Sequence, residues 1–415
     1  MTTCLNSTTH LTIPAQAPRA AKQVFKLLQR MTHGQLSITL PDQSQLHFGV
    51  GTGTHAYLQL NNWHMFSAAL KSGDIGFAET FIAQDWDTPN LTQLLQVLLQ
   101  NRKSLDDAIF GNWLGRVYYQ ARHWMRRNTE ANSRKNIHAH YDLGNDFYKL
   151  WLDPSMNYSS ALFEQPDQTL TQAQNAKVRR ALTMAGVTSG SRVLEIGCGW
   201  GALADMGVNE FDAQVVGLTL SHEQLAWAHA RLAQTPNAHK ADLRLQDYRS
   251  PDVTTNNAGE HQLYDAVCSI EMIEAVGQAY WPTYFQTVAK SLRPGGKACI
   301  QAIVIDDDLF DRYIQGTDFI QQYVFPGGCL PSPAKFKEQA QAAGLEVVDS
   351  FAFGQDYATT LAAWHASFVQ QEDDVRKLGF DTAFIRTWAF YLCYCEAAFL
   401  EGNTDVMQFT LRLPS

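Results

Sequence analysis

Residues 193–201 read Val193-Leu194-Glu195-Ile196-Gly197-Cys198-Gly199-Trp200-Gly201, an apolar run ending in three glycines at alternate positions, with a helical pattern starting at Ala202. Glycines where a strand turns into a helix admit positive φ and let the backbone close on a ligand, and the helix behind them presents unpaired N–H groups. This describes a seat for a nucleotide-type cofactor, with a plain structural turn as the competing reading. G-x-G-x-G after an acidic residue is not the dinucleotide pattern G-x-G-x-x-G. A nicotinamide enzyme also places Asp or Glu after the second strand to hold the ribose diol. Here that stretch is Gly217-Leu218-Thr219-Leu220-Ser221, which leaves the neutral Thr219 and Gln224 for the task. After the third strand, Gln246-Asp247-Tyr248 supplies an acceptor for an adenine amino group and an aromatic ring beside it. Together these residues outline an S-adenosylmethionine pocket. Ser221-His222-Glu223-Gln224 reads equally as a helix N-cap with capping-box character, and both readings hold at once.

Such a pocket needs a sheet to hold it. From Ile196 onward, strand-like and helical stretches alternate as in an open, Rossmann-like α/β sheet with helices on both faces. Strands are expected at 192–196, 214–218, 243–245, 264–270, 297–305 and 345–353, then a helix at 384–400 and a final strand at 405–413. A Phe- and Tyr-rich insertion at 306–330 interrupts the last part of the sheet and is a candidate substrate cover, because loops at the carboxyl ends of strands form sites. Ahead of this catalytic domain, 136–415, residues 19–111 read as a small α+β domain. It has a helix at 21–31, a hairpin of 35–40 and 45–50 around Pro41-Asp42, a strand at 56–60, and helices at 63–70 and 91–99. Residues 1–18 have no periodicity and read as a flexible tail.

The linker, 112–135, carries Arg116, Arg122, Arg126, Arg127, Arg134 and Lys135 against Glu130 alone. Trp113, Leu114, Val117, Tyr118, Ala121, Trp124 and Met125 fall at helical spacing within it. Two readings stand: an amphipathic helix for an anionic membrane surface, or a connecting helix packed between domains. Elsewhere the balance is acidic, and a net charge of −9 argues against a general nucleic-acid binder. Cys4, Cys198, Cys268, Cys299, Cys329, Cys393 and Cys395 lack paired metal-ligand spacing and read as reduced thiols, so no metal is expected. Neither a signal-like N-terminus nor an uncharged apolar run of about 18 residues occurs, so a cytoplasmic protein is expected.

Further words surround the glycine turn: His140-Tyr141-Asp142-Leu143-Gly144-Asn145-Asp146-Phe147-Tyr148, Met156-Asn157-Tyr158-Ser159-Ser160-Ala161-Leu162-Phe163, Glu271-Met272-Ile273-Glu274-Ala275-Val276-Gly277, Tyr323-Val324-Phe325-Pro326-Gly327-Gly328 and Asp356-Tyr357-Ala358-Thr359-Thr360-Leu361. With these motifs in this order, the chain resembles the cyclopropane-fatty-acyl-phospholipid synthase family, which includes the mycolic acid cyclopropane synthases, over nearly its whole length. The resemblance implies a class I methyltransferase fold preceded by a lipid-recognition domain. It implies transfer of the S-adenosylmethionine methyl group to the cis double bond of an acyl chain in membrane phospholipid, at the inner face of the membrane. Tyr158 and Ser159 fall at the cofactor by the same match. In the family, a proton then goes to a bicarbonate ion. Its holders here would be Ser160, Glu274, Gln301, Ile303 and Tyr357, with Ile303 and Ser160 acting through backbone atoms. Well-known members have Cys in place of Ser160 and His in place of Gln301. Glutamine donates and accepts hydrogen bonds but does not titrate near neutrality, so a His-assisted relay could not operate. Glu274 also reads as a buried, hydrogen-bonded carboxylate of its turn. Cys395 matches a family cysteine assigned to the active site, although its apolar surroundings favour an inert buried thiol.

The implied step is demanding, because an alkene is a poor nucleophile and must be held roughly 3 Å from the methyl carbon with water excluded. Methyl addition leaves a carbocation, which aromatic faces stabilise; Tyr158, Tyr313, Phe319 and Tyr323 are candidates, with plain core packing as the alternative. Other readings remain: a fatty-acid C-methyltransferase giving methyl-branched or methylene products, an amine N-methyltransferase on the same scaffold, or a non-catalytic lipid-binding protein. A homodimer is expected, because pairing adds avidity for a flat bilayer.

Overall fold

The computed structural model describes residues 13–49, 53–102, 143–255 and 259–415. The chain divides into two compact units, Met1–Tyr118 with Thr382–Ala397, and Tyr119–Asp381 with Ala398–Ser415. The basic linker, the motif residues His140, Tyr141 and Asp142, and most of the N-terminal tail lie outside the described residues.

In the first unit, strands β1 (Gln35–Thr39), β2 (Gln45–Gly49), β3 (His55–Leu60) and β4 (Trp86–Asp87) form a sheet ordered β2-β1-β3-β4. The hairpin around Pro41-Asp42 is present, with β1 antiparallel to β2. The helix expected at 63–70 runs further, His64–Ile82, broken at Gly73, whose φ of 61° and ψ of −134° are not helical. The bend brings its two halves so close that a Cβ on Gly76 would lie 2.2 Å from the Ala68 carbonyl oxygen, a place only glycine fits. Residues 382–397, which the sequence reading gives to the catalytic domain, pack in this unit instead. Arg386 Nε donates to the Phe81 carbonyl at 2.7 Å, and Thr92 Oγ1 donates to Glu396 Oε2 at 2.7 Å.

The second unit is a seven-stranded sheet. Its strands are β5 (Arg192–Ile196), β6 (Gln214–Thr219), β7 (Ala241–Leu245), β8 (Tyr264–Ile270), β9 (Leu292–Ile305), β10 (Glu346–Ala352) and β11 (Thr404–Arg412), in the order β10-β11-β9-β8-β5-β6-β7. The expected parallel sheet holds from β7 to β9, while β11 runs antiparallel to both β9 and β10. Core clusters cover both faces, one around Tyr284, Phe285 and Ile300, the other around Val193, Ala204 and Val215. That two-sided burial is why these strands are nearly continuous apolar runs rather than alternating ones. The strand order reverses between β5 and β8, and in open α/β sheets the crevice beyond the carboxyl ends at such a point receives the ligand.

Candidate active site

β5 runs into the glycine turn at this reversal. Gly197, Gly199 and Gly201 have φ of 85°, 49° and 84°, so all three need the left-handed region. Their roles differ. A Cβ on Gly197 would lie 2.8 Å from Met272 Cγ, and one on Gly201 would lie 2.8 Å from Ala228 Cβ, so these two allow close packing. A Cβ on Gly199 would meet no atom within 4 Å. The turn is pinned by Gly197 N–H and Cys198 N–H, both donating to the Leu218 carbonyl at 3.0 and 2.8 Å.

A cavity opens over the turn. Of the residues read as cofactor-binding, Tyr158, Ser159, Glu195, Gly197, Gly199, Thr219, Gln224, Gln246 and Tyr248 line it; Gly201 and Asp247 do not. Gly201 stands behind the turn, heading helix Ala202–Asn209. Asp247 is gripped by Arg249, whose Nε and Nη2 reach its two oxygens at 2.9 and 2.6 Å, and Arg249 itself lines the cavity. Ser221 caps helix His222–Leu232 through Gln224 N–H, and Thr219 Oγ1 donates to Gln224 Oε1 at 3.0 Å, leaving the Gln224 amide nitrogen as a donor. Glu195 is buried with no hydrogen-bond partner on Oε2, and burial pushes its carboxyl up to about 8 against the opposing charge of Lys177. An orphaned buried oxygen at the cavity wall fits a ligand that brings donors or positive charge. The residues therefore fit S-adenosylmethionine.

Lys177 escaped the sequence reading. It lies on helix Leu170–Met184, has no exposed surface, and donates from Nζ to Ser159 Oγ at 2.5 Å. Burial pushes it down to about 8 against Glu271, Asp153 and Glu195. The available signal was a lysine on the face that carries Ala173, Ala181 and Val178, since lysine is rarely buried without partners.

Below the turn, the residues expected around bicarbonate split into two groups. Ser160 N–H and Gln301 Nε2 donate to Glu271 Oε1 at 2.9 and 2.8 Å, and Tyr357 OH donates to Glu271 Oε2 at 2.7 Å. Ile303 N–H donates to Glu274 Oε1, while Glu274 Oε2 is buried with no hydrogen-bond partner. Glu271 lines the cavity and Glu274 does not. Burial raises both carboxyls, but Glu271 is held back by Lys177, Ser160, Tyr357 and Gln301, whereas Glu274 goes to about 8 with the Glu271 charge adding to the rise. The two therefore differ: three donors and the Lys177 charge oppose the rise at Glu271, while Glu274 keeps its proton up to about 8. Bicarbonate does not fit, because the donors meant for it already hold a carboxylate of the chain.

Tyr158 alone of the four aromatic candidates lines the cavity, in a cluster with Tyr148, Trp151, Trp364 and Phe325. Tyr313 accepts from Gln321 Nε2 and Leu330 N–H, and Phe319 stacks on Tyr323. The 306–330 insertion touches the backbone of the turn that carries the two glutamates, since Cys329 N–H donates to the Glu274 carbonyl at 2.8 Å. Cys395 belongs to the first unit and is not a lining residue.

Comparison with known proteins gives a consistent picture. Residues 128–409 match the mycolic acid cyclopropane synthetase family. A tuberculostearic acid methyltransferase of Mycobacterium tuberculosis is 39% identical over 353 residues, 82% of this chain and 79% of that protein. The cyclopropane-fatty-acyl-phospholipid synthase of Escherichia coli K12 is 29% identical over 365 residues, 88% of this chain and 90% of that one. The solved structure of a mycolic acid cyclopropane synthase complexed with SAH and CTAB superposes with a TM-score of 0.61 at 31% identity, covering 67% of this chain and 98% of that one.

Proposed function

The chain belongs to the mycolic acid cyclopropane synthetase family and is an S-adenosylmethionine-dependent methyltransferase of the cyclopropane synthase kind, and from that premise we propose that it methylates the cis double bond of acyl chains in membrane phospholipid to give cyclopropane fatty acids. The observation that carries this reading is the stretch of cavity lining between Ile270 and Val276. There, Ile270, Met272, Ala275 and Val276 line the cavity beside one carboxylate, Glu271, and among the described residues this stretch has no side chain suited to holding a charged amine by several ion pairs. An apolar wall with a single anionic group suits a hydrocarbon whose only charge appears after methyl transfer.

S-adenosylmethionine, when bound, supplies an electrophilic methyl group. Of the residues lining the cavity, Glu195 would receive its donors, Gln224 would offer an amide to the ribose, and Tyr248 and Gln246 would hold the base. Tyr158 turns an aromatic face to the developing cation, and Trp151 and Trp364 pack behind it to exclude water. We assign Ser160, Gln301 and Tyr357 to holding Glu271, Ile303 to holding Glu274, and Cys395 to packing in the N-terminal unit, which we take as the lipid-recognition part. A second reading, a fatty-acid C-methyltransferase with a methyl-branched or methylene product, is favoured by the 39% identity to a protein named for tuberculostearic acid.

The experiment is incubation of the full chain with methyl-labelled S-adenosylmethionine and vesicles of oleoyl phospholipid, followed by analysis of the released fatty acids. A labelled ring supports the first reading and a labelled methyl-branched or methylene chain the second. Label found only on a soluble amine, or in no lipid, would sink both.

A further inference from the structure

Ser160, Gln301 and Tyr357 each give a donor to the chain itself. The Ser160 N–H and the Tyr357 hydroxyl each have one proton to give, and both go to Glu271. The polarity of Gln301 is set from further out. Arg180 Nη1, which can only donate, binds Gln408 Oε1 at 2.7 Å. Gln408 Nε2 must then be the atom facing the Lys177 carbonyl at 3.1 Å and Gln301 Oε1 at 3.0 Å, so Gln301 presents Nε2 to Glu271. Glutamine at this position is a fixed donor, and a residue that cannot lose a proton suits a seat already holding a carboxylate. Glu271 also has φ of 49°, a left-handed backbone unusual for a residue with a Cβ, and its N–H is tied to the Gln301 carbonyl at 2.8 Å. Strain of this kind persists where the surroundings hold a residue for a task.

We infer that Glu271 is this enzyme's built-in general base: its carboxylate fills the anion seat made by Ser160, Gln301 and Tyr357 and takes the proton released after methyl transfer, without bicarbonate. The inference rests on the C-methyl transfer reading above. After the double bond has taken the methyl group, the cation loses a proton from that methyl. The C–H electron pair becomes the second carbon–carbon bond of the ring, and the proton goes to Glu271, leaving a neutral carboxylic acid that water deprotonates on product release. If a hydride first shifts between the two former alkene carbons, the same proton transfer leaves a methylene group. No oxidant or reductant enters either route.

Two measurements on the full chain test this. In the first, carbon-13 bicarbonate is titrated against the parent and Glu271→Gly, both saturated with S-adenosylhomocysteine, and broadening of the bicarbonate resonance is followed. Glycine accepts the left-handed backbone and clears the seat. The expected result is saturable broadening with the variant and none with the parent. In the second, methyl transfer is measured in carbon-dioxide-free buffer. The parent keeps its rate within about twofold of that with bicarbonate added, while Glu271→Gln loses roughly 10²–10⁴-fold with S-adenosylhomocysteine affinity held within about threefold. Glu271→Gly regains activity saturably with formate or bicarbonate. A parent that binds bicarbonate or slows on its removal overturns the inference, as does a Glu271→Gln enzyme that keeps its rate or a Glu271→Gly protein that binds no bicarbonate. The binding arm needs no turnover, so a parent inactive on every lipid defeats the proposed substrate while the occupancy of the seat is still decided.

Discussion

Two glutamates three positions apart in one turn are held in different surroundings, and the hydrogen bonds say how. Glu271 receives three donors and faces the buried Lys177; Glu274 receives the Ile303 N–H alone and faces the Glu271 charge. The carboxyl with an unpartnered buried oxygen keeps its proton up to about 8, against an ordinary value of 4.5. This has a consequence for stability. Below the unfolded value both states hold the proton, so the group contributes fully; between 4.5 and about 8 the unfolded chain releases it while the folded chain does not. Stability therefore falls as pH rises through this window, by up to ~1.4 kcal/mol per unit for one such group. Glu195 is shifted the same way and adds to the slope. Glu274→Gln mimics the neutral acid, accepts the Ile303 N–H through its amide oxygen, and does not titrate. Its melting temperature is expected to gain on the parent steadily from about pH 5 to about pH 8. Parallel melting curves across that range would show that Glu274 is ionised in the folded state.

At the scale of elements, the strand-turn-helix unit divides its labour among glycines that the sequence presents as equivalent. Gly199→Ala places a methyl where the structure has open space, so its cost to folding is the left-handed backbone alone, ~1–2 kcal/mol. The loss appears in binding, with S-adenosylhomocysteine affinity down about tenfold or more, since Gly199 borders the cavity. Gly201→Ala drives a methyl to 2.8 Å from Ala228 Cβ and separates two packed helices, at about 2–4 kcal/mol with the backbone cost included. Its melting point falls by several degrees while calorimetry on the folded protein gives nearly parental affinity. The reverse pattern would mean that Gly201, not Gly199, faces the cofactor. Most strands were legible in the sequence because two-sided burial writes them as apolar runs; β5 and β8 begin and end where the reading puts them. The reversal of β11 was not legible, since a strand's side chains have the same period in either direction. Nor was the placement of residues 382–397, which bond to Phe81, Thr92 and other residues about 300 positions away.

For the molecule as a whole, the meeting of side chains distant along the chain is what was hardest to read from the order of residues. The cofactor half of the site sits in one continuous turn and its neighbours, and motif spacing finds it. The base half is built from residues 160, 271, 301 and 357, and no local pattern distinguishes Glu271 from Glu274. The charge distribution is a whole-chain property of the opposite kind, read from the sequence alone. Against a net charge of −9, six of the seven charged residues between positions 112 and 135 are Arg or Lys. An acidic protein is repelled by an anionic bilayer, so an enzyme of this charge acting on membrane phospholipid, as proposed above, would draw on a local basic patch to approach it. Near such a surface each cation contributes ~1 kcal/mol, falling off within a Debye length of about 8 Å at physiological salt. Replacing Arg122, Arg126 and Arg127 together by Gln is then expected to weaken partition onto vesicles rich in anionic lipid on the order of 10²-fold. Partition onto neutral phosphatidylcholine vesicles should barely change, and affinity for S-adenosylhomocysteine should stay at the parental value. The difference should shrink as salt is raised, because screening removes the attraction the arginines supply. Equal co-sedimentation of parent and triple variant with anionic vesicles at low salt would leave the run as a plain connection and move the search for a membrane contact to the N-terminal unit.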